Sequence, residues 1–156
     1  MLEITIPGKG KYTIKNLILD LNGTIALDGE IIRGVKERVA ELSRKVDIFV
    51  VTADTNKNAE ELLKDMPVTL YKIYEAEENK QKLAFARKMG KDYTVSMGNG
   101  CNDVSMLRES AIGICILGGE GASAEAIMSS DLVVSSIIDA FDLLLKPHRL
   151  KASLRK

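Results

Sequence analysis

Histidine and cysteine, on which many catalytic sites depend, are scarce in this sequence. Among 156 residues there is one histidine, His148, near the C-terminus. A mechanism that needs a histidine base inside the core of the fold is therefore disfavoured. The two cysteines, Cys101 and Cys115, have neither the spacing of metal ligands nor the surroundings of a secreted disulfide framework. A reduced, cytoplasmic setting is the simplest interpretation.

An excess of charge and long apolar runs are also lacking. Lys and Arg together number 22, Asp and Glu together number 22, and the formal net charge is zero. A balanced chain has no general attraction for nucleic acid, so we expect no nucleic-acid partner. No apolar run approaches the roughly 18 residues of a membrane-spanning helix, and the first residues lack a signal-peptide pattern. The sequence predicts one cytoplasmic domain with no membrane partner.

Short apolar runs alternate with amphipathic segments along the chain. The runs that end at Asp20 and Thr52 are typical of buried parallel strands, and the segment between them has helical spacing. About five such strands joined by helices predict an α/β fold, a three-layer α/β/α Rossmann-like sandwich with a mainly parallel sheet. An edge hairpin at the start of the chain and a small flap hairpin after Asp20 are also predicted. We assign residues 1–146 to this domain and residues 147–156 to a solvated or frayed basic tail.

The carboxyl ends of the predicted strands carry the residues best suited to chemistry, because ligands of parallel sheets bind beyond those ends. Asp20 follows the first apolar strand and begins the motif D-L-N-G-T. Its carboxylate could attack a phosphoryl group and form an aspartyl-phosphate. Gly23 permits a sharp turn that brings backbone N–H groups toward the phosphate. The alternative is an aspartate that only begins a turn.

Further polar residues accompany Asp20. Thr52, in V-V-T-A-D, places a hydroxyl beside the predicted phosphate site, although threonine is also ordinary in a strand. Asp54 either contacts substrate or caps the next helix, and capping is the favoured interpretation. Lys80, near the start of a predicted helix, could offset the charge of Asp20, and Lys82 is a nearby rival. A solvated position on the helix surface is the alternative for either lysine.

The loop G-N-G-C-N-D at residues 98–103 is the clearest local signal after Asp20. It is a glycine-rich turn into a helix, with Asp103 near the predicted phosphate site. Mg²⁺ binds few protein carboxylates together with phosphate oxygens and water. Asp20, Asp103 and the carbonyl of Asn22 would supply such ligands. The alternative is a helix N-terminus with ordinary caps.

Together these motifs resemble the haloacid-dehalogenase superfamily, and most nearly the phosphorylation domain of P-type ATPases. The motifs D-L-N-G-T, V-V-T-A-D-T-N, a lysine and G-N-G-C-N-D occur in the family's order, and the likeness runs over residues 15–145. The resemblance implies that Asp20 is the nucleophile and that Lys80 neutralises charge. It implies phosphate-binding residues Asn22, Gly23, Thr52, Ala53 and Lys80. It also implies Mg²⁺ ligands Asp20, Asn22, Asn99 and Asp103.

The resemblance also shows what this chain lacks. P-type ATPases insert a nucleotide-binding domain between the first two motifs, whereas only a short segment separates Asp20 from Thr52 here. Without that domain and without membrane helices, the chain is not an ion pump by itself, and it is similar to a capless phosphorylation domain standing alone. Such an open site would admit a phosphorylated substrate, bulky ones included. Capless relatives often oligomerise so that a neighbour covers the site, so we expect a homo-oligomer.

Two residues depart from the family pattern. Phosphatases of the superfamily usually carry a second aspartate two residues after the nucleophile as general acid/base, and Asn22 cannot transfer protons. Loss of such a group typically slows a reaction by ~10²–10⁴-fold. Asn99 replaces the first loop aspartate, which removes one negative charge and weakens Mg²⁺ binding. Asp28 is another candidate base, although turn chemistry explains it well enough.

Three functions are consistent with the sequence. The first is a Mg²⁺-dependent phosphohydrolase that forms an aspartyl-phosphate on Asp20 and is slow because of Asn22 and Asn99. The second is a catalytically weakened phosphate-binding or phospho-aspartate regulatory module, whose phosphoryl group is retained and read by a partner. The third is an interaction protein that keeps only the fold, with the basic segment 147–156 as its contact. Repeated turnover distinguishes the first function from the second.

Overall fold

A computed structural model describes residues 1–53 and 58–156, and its β-structure consists of one large sheet and two hairpins. In chain order the strands are β1 (Leu2–Ile6), β2 (Gly10–Ile14), β3 (Asn16–Leu19), β4 (Ala26–Leu27), β5 (Glu30–Ile31), β6 (Asp47–Thr52), β7 (Thr69–Lys72), β8 (Thr94–Gly98), β9 (Ile112–Ile116) and β10 (Leu132–Val134). The large sheet has six strands in the order β10-β9-β8-β3-β6-β7, and every neighbouring pair is parallel.

Helices cover both faces of this sheet. In chain order they are α1 (Val35–Leu42), α2 (Asn58–Leu63), α3 (Glu78–Met89), α4 (Val104–Glu109), α5 (Ala124–Ser129), α6 (Ile137–Leu145) and α7 (Pro147–Leu154). Short 3-10 turns cover Lys91–Tyr93 and Cys101–Asp103. No helix in the described ranges is both long and apolar enough to cross a membrane.

The strand before the candidate nucleophile is buried on both faces, as expected for the middle of a parallel sheet. Leu17 and Leu19 of β3 belong to the core shared with α1, α6 and α7. Ile18 points the other way and packs in the core that contains Phe85 of α3 and Met106 of α4. Side chains alternate between faces along a strand, so one short apolar run holds both helical layers to the sheet.

The predicted fold class is confirmed. The sheet is parallel and flanked by helices, as the alternation of apolar runs and helical patterns indicates, with six strands rather than about five. The small flap is the β4–β5 hairpin, and the described residues form no cap. The first hairpin, β1–β2, differs from the prediction because it forms its own sheet rather than an edge of the large one. Its apolar side packs into the core through Leu2, Ile4 and Ile6.

The segment 147–156 is not a frayed tail. Most of it forms α7, which begins with Pro147 at the first helical turn, a favoured position for proline. Leu150 and Leu154, four residues apart, are buried in the core. The backbone N–H of Lys156 donates to the carbonyl of Pro7 at 3.1 Å. The segment is therefore an amphipathic helix whose polar face is basic. The domain boundary at residue 146 stays a prediction.

Candidate active site

Three neighbouring strands end at one edge of the sheet and carry the candidate site. β3 lies between β6 and β8, and Asp20 follows it directly. Thr52 is the last residue of β6, and Asn99 follows the last residue of β8. Because the strands are parallel, these residues meet at one cleft of about 610 Å³. The cleft is lined by Asp20, Asn22, Thr52, Ala53, Glu75, Glu78, Lys82, Asn99, Gly100, Asn102 and Glu120.

Asp20 is buried at the base of this cleft and accepts two side-chain hydrogen bonds. Its Oδ1 accepts from Nζ of Lys82 at 2.8 Å, and its Oδ2 accepts from the hydroxyl of Thr24 at 3.2 Å. Burial raises the pKa of Asp20, and the neighbouring Asp103 carboxylate raises it further, to about 7, against the opposing effect of Lys82 and Thr24. A perturbed carboxyl group in a cleft, with a specific charged partner, marks a candidate functional site.

The cation beside Asp20 is Lys82 on α3. Its side chain is 1% exposed, and Nζ lies 2.8 Å from Oδ1 of Asp20 and 2.7 Å from Oδ1 of Asp103. Burial opposes the ammonium charge, but the two carboxylates outweigh burial and raise the pKa of Lys82. Lys82 therefore stays charged and offsets negative charge that would otherwise be buried without a partner.

The structure does not bring Lys80 to this site, contrary to the prediction. The Lys80 side chain is 76% exposed and pairs with Glu77 on the helix surface. Two steps along an α-helix rotate the side-chain direction by about 200°, so Lys80 and Lys82 lie on opposite faces. Lys82 shares its buried face with Phe85 and Ala86. That i, i+3, i+4 spacing is the sequence signal that distinguishes the two lysines.

Asp103 anchors the glycine-rich loop as well as Lys82. It is fully buried, and its Oδ2 accepts the backbone N–H groups of Asn99 and Gly100, each at 3.0 Å. The loop closes so tightly that a Cβ atom at Gly98 would overlap the Asp103 carboxylate. A glycine is thus required at position 98, because the Asp103 carboxylate lies against its backbone. Asp103 and Asp20 lie near each other, as predicted, since both accept hydrogen bonds from Lys82.

Asn99 joins the Asp20 turn to a loop that follows β9. Its Oδ1 lies 3.4 Å from the donating hydroxyl of Thr24, which also bonds Asp20. Its Nδ2 donates to the carbonyl of Gly121 at 3.1 Å, and its own carbonyl accepts from the N–H of Ser123 at 2.9 Å. Asn99 therefore uses an amide donor that an aspartate at this position would lack.

The predicted phosphate-binding residues lie around Asp20, with one difference. Asn22, Thr52 and Ala53 line the cleft. Gly23 has a φ of 78°, as the sharp turn requires, but its N–H donates to the carbonyl of Ala26 at 2.8 Å, which holds the flap turn together. The interpretation of Asp54 as a helix cap concerns a residue outside the described ranges.

Two kinds of residue at the site were missed by sequence reasoning. Thr24 is fully buried and joins Asp20 to Asn99, although the sequence shows it only as the end of D-L-N-G-T. Glu75, Glu78 and Glu120 place carboxylates around the cleft. Glu120 follows β9, so the rule that picks out residues beyond the ends of parallel strands could have found it.

Asp28, the other candidate base, occupies the flap turn. It is exposed, has a φ of 52° and is not among the residues that line the cleft. Aspartate tolerates this left-handed backbone better than most residues, which supports turn chemistry as the explanation for Asp28. In the described ranges no group of three or more His, Cys, Asp or Glu residues could hold a metal ion.

Comparison with known sequences gives two partial matches, and no protein-family profile matches the chain. One uncharacterized protein of Methanocaldococcus jannaschii is 51% identical over 61 residues, which are 39% of this chain and 66% of that protein. The chain thus spans slightly less than two thirds of this first relative. A second uncharacterized protein of the same organism is 51% identical over 41 residues, which are 26% of this chain and 93% of that protein.

Comparison with solved structures gives extensive but distant matches. The cobalt-bound deoxy-D-mannose-octulosonate 8-phosphate phosphatase of Haemophilus influenzae has a TM-score of 0.72 at 12% identity, with 92% of this chain and 94% of that one covered. The 3-deoxy-D-manno-octulosonate 8-phosphate phosphatase of Moraxella catarrhalis, in complex with magnesium, phosphate and KDO, has a TM-score of 0.65 at 16% identity, with 85% and 86% covered.

A third structural match carries a superfamily description. It is a putative hydrolase of the HAD superfamily, subfamily IIIA, from Legionella pneumophila, with a TM-score of 0.68 at 15% identity and coverage of 90% and 87%. At such identities the three matches concern the fold alone. None of the three is a P-type ATPase domain, so these matches do not support the closer resemblance to P-type ATPases that the motifs suggest.

Proposed function

We propose that this chain is a phosphohydrolase. It belongs to one family with the uncharacterized Methanocaldococcus jannaschii protein of which it covers 93%. It has the fold of the haloacid-dehalogenase superfamily. The reaction would proceed through an aspartyl-phosphate on Asp20. The observation that carries the proposal is the buried ammonium of Lys82 between Asp20 and Asp103, at the base of an open cleft. A carboxylate fixed beside a cation is suited to accept a phosphoryl group.

In the first half-reaction, an oxygen of Asp20 forms a bond to phosphorus while the ester P–O bond breaks. The leaving oxygen keeps the electron pair of that bond and takes a proton from solvent, so the alcohol leaves. Lys82 offsets the charge that gathers on the phosphoryl oxygens. The hydroxyl of Thr24 fixes Oδ2 of Asp20, so the carboxylate keeps its orientation. Thr52 and Ala53 line the same cleft and are proposed to contact the phosphate.

In the second half-reaction, water attacks phosphorus, the bond to Asp20 breaks and inorganic phosphate leaves. Asn22 cannot accept the proton of that water. Hydrolysis of the intermediate is therefore proposed as the slow step. The D-L-N-G-T motif, which resembles an Asp-x-x-Gly-Thr pattern of phosphoryl-accepting domains, supports acceptance of the phosphoryl group and says little about the rate of its release.

Mg²⁺ is the proposed cofactor. The proposed ligands are the carboxylates of Asp20 and Asp103, the side-chain oxygen of Asn99 and the carbonyl of Asn22. All are of the hard type that Mg²⁺ prefers, and two carboxylates suit an ion that keeps water and phosphate ligands. Both oxygens of Asp103 accept hydrogen bonds in the structure, so this carboxylate would have to exchange partners to bind the ion. When bound, the ion would neutralise charge on the transferring group. The Moraxella catarrhalis phosphatase structure contains magnesium and phosphate, which supports this choice.

The proposed substrate is a phosphate ester, with bulky esters included because the described residues form no cap over the cleft. The Haemophilus influenzae and Moraxella catarrhalis matches are named for the 8-phosphate of a sugar acid, which makes small sugar phosphates reasonable first substrates. A homo-oligomer that would cover the cleft stays a prediction.

A second candidate is a phospho-aspartate regulatory module, and Asn22 favours it. An exposed amide stands where an acid/base would speed release of phosphate. If no other group takes that role, the phosphoprotein would persist long enough for a partner to bind it.

The test is incubation with acetyl phosphate and Mg²⁺, with phosphate release and intact protein mass followed together. Repeated release that is lost in Asp20→Asn and with a chelator is the result expected for a phosphohydrolase. A persistent adduct of one phosphoryl group, absent in Asp20→Asn, would favour the regulatory module. Neither release nor adduct from a folded protein would contradict both.

A further inference from the structure

The cleft contains carboxylates that could compensate for Asn22, and this inference rests on the proposed function. Besides Asp20, the lining residues include Glu75, Glu78 and Glu120. Glu78 accepts a hydrogen bond from Nδ2 of Asn102 at 2.6 Å and lies at the start of α3. Glu120 differs from the other two because its carboxylate lies against the turn that follows the nucleophile.

The contact between Glu120 and that turn is close. A Cβ atom at Gly23 would overlap Oε2 of Glu120 and would lie 2.6 Å from Nδ2 of Asn99. A side chain at position 23 would therefore displace the Glu120 carboxylate from this place. Because Gly23 adjoins Asn22, Glu120 reaches the side of the cleft where the superfamily's usual acid/base would be attached.

The loop that carries Glu120 is fixed to the site by Asn99. A tight turn closes with the N–H of Gly121 donating to the carbonyl of Gly118 at 2.9 Å. Nδ2 of Asn99 donates to the carbonyl of Gly121, and the N–H of Ser123 donates to the carbonyl of Asn99. Glu120 thus lies in a closed turn whose following residues, Gly121 and Ser123, are bonded to Asn99.

The amide at position 99 is needed for this arrangement. An aspartate there would present an oxygen to the Gly121 carbonyl, which repels it, instead of a donor. The two departures from the superfamily pattern are therefore linked. The acid/base is missing at position 22, and the change at position 99 anchors a loop that brings another carboxylate to the same turn.

We infer that Glu120 is the general base of the second half-reaction and that Asn99 is its positioning residue. The carboxylate of Glu120 takes a proton from water as the water oxygen bonds to phosphorus. The bond between phosphorus and Asp20 breaks, its electron pair returns to the Asp20 carboxylate, and inorganic phosphate leaves. Glu120 then releases its proton to solvent, so the step needs no other reactant.

The first test measures the decay of the phosphoprotein in Glu120→Gln. The protein is phosphorylated with acetyl phosphate and Mg²⁺, freed of excess reagent, and followed by intact mass. Decay should slow by ~10²-fold or more because the base is lost, whereas the phosphoprotein should still form. The matched control is Glu125→Gln, which makes the same change at an exposed position of α5. Its phosphoprotein should decay at the rate of the parent protein.

A second variant separates this inference from the proposed function. Adding Asn22→Asp to Glu120→Gln should restore fast decay, because it returns a base to the same side of the cleft. If Glu120→Gln forms the phosphoprotein and loses it at the parent rate, the role of Glu120 is refuted and the phosphohydrolase proposal stands. If no variant with Asp20 intact forms a phosphoprotein, the proposed function fails instead.

The positioning role of Asn99 is tested by Asn99→Asp at saturating Mg²⁺. The added charge should lower the Mg²⁺ concentration needed for phosphorylation, yet decay should slow because the loop loses its anchor. In the double variant with Glu120→Gln, decay should be no slower than in Glu120→Gln alone, since both changes remove the same contribution. If the two substitutions slowed decay independently, so that their effects multiplied in the double variant, the positioning role of Asn99 would be refuted.

Discussion

At the scale of single residues, the site depends on one buried cation shared by two carboxylates. Lys82 contacts Asp20 and Asp103, and its side chain is 1% exposed. Breaking a buried ion pair by removing one partner leaves uncompensated charge, which is far more costly than losing a surface pair. Lys80, two residues away and exposed, provides an internal comparison with the same side chain.

We therefore expect Lys82→Met to be severe and Lys80→Met to be mild. Lys82→Met should destabilise the fold by about 3–5 kcal/mol and lower phosphorylation of Asp20 by ~10²-fold or more. Lys80→Met should leave stability nearly unchanged, because its pair with Glu77 is exposed. Urea unfolding and the initial rate of phosphoprotein formation measure the two effects. Equal losses in both variants would contradict the assignment of Lys82.

Asp20 gives the metal-free protein a characteristic pH dependence. Its pKa is about 7 in the fold against 3.8 when unperturbed, so between these values the folded state binds more protons at this group than the unfolded state does. Stability contributed by Asp20 therefore falls as pH rises from about 4 to 7 and levels off above that range. The pKa of Lys82 is also raised, but its charge is constant in this window.

The check is urea unfolding in the presence of a chelator at several pH values. Asp20→Asn should lose this part of the pH dependence, because the amide does not titrate. A decline of the same slope in parent and variant would show that other groups cause it.

Much of the site could be predicted from its residues, and the exceptions have physical causes. Asp20, Asn99 and Asp103 are found together because strand ends of a parallel sheet meet. The choice between Lys80 and Lys82 depends on which face of α3 is buried, and the distance in sequence between the motifs does not show that face. The strand-end rule indicates the place of Glu120 after β9, but its contact with Gly23 becomes visible only in the structure.

At the scale of elements, α7 is a helix that packs into the core although its sequence is rich in charged residues. The segment from Pro147 to Leu154 is rich in Lys and Arg, which indicates a solvated tail when only composition is considered. Leu150 and Leu154 nevertheless lie in the main core, and α7 packs beside α6 and β1. Strands β3 and β6 were predictable because each contains a continuous apolar run, whereas α7 has a narrow apolar face.

Truncation of the core-facing side chain of α7 should destabilise the whole domain. Leu150 is fully buried, so Leu150→Ala should lower the free energy of unfolding by about 2–5 kcal/mol. Lys151→Ala on the same helix should change it by less than about 0.5 kcal/mol. Urea denaturation followed by circular dichroism measures both. A negligible effect of Leu150→Ala would mean that α7 does not contribute to the core.

At the scale of the whole molecule, charge is balanced overall but not around the cleft. The formal net charge is zero, yet Glu75, Glu78 and Glu120 stand around the opening in addition to the buried carboxylates. An anionic substrate approaching this opening meets like charge, and salt screens such repulsion over distances of about 10 Å. Selection among phosphate esters should therefore depend on their charge.

We expect esters with little additional negative charge to be favoured over polyanionic ones such as nucleoside triphosphates. The KM for an anionic ester should fall as ionic strength rises, because screening weakens the repulsion. Neutralising the rim with Glu75→Gln and Glu78→Gln should lower KM at low salt and flatten its salt dependence. Steady-state kinetics across salt concentrations measure this. A KM that rises with salt in the parent protein would contradict the expected repulsion.

The position of β3 in the sheet also determines when the site can form during folding. Asn16 at the start of β3 pairs with Asp47 of β6 on one side and with Thr94 of β8 on the other. The first core strand must therefore wait for partners that follow much later in the chain, and such non-local parallel pairing is slow. A growing polypeptide has its nucleophile early, but it gains the counter-charge of Lys82, and the Asp103 carboxylate that shares it, only after most of the sheet has been made.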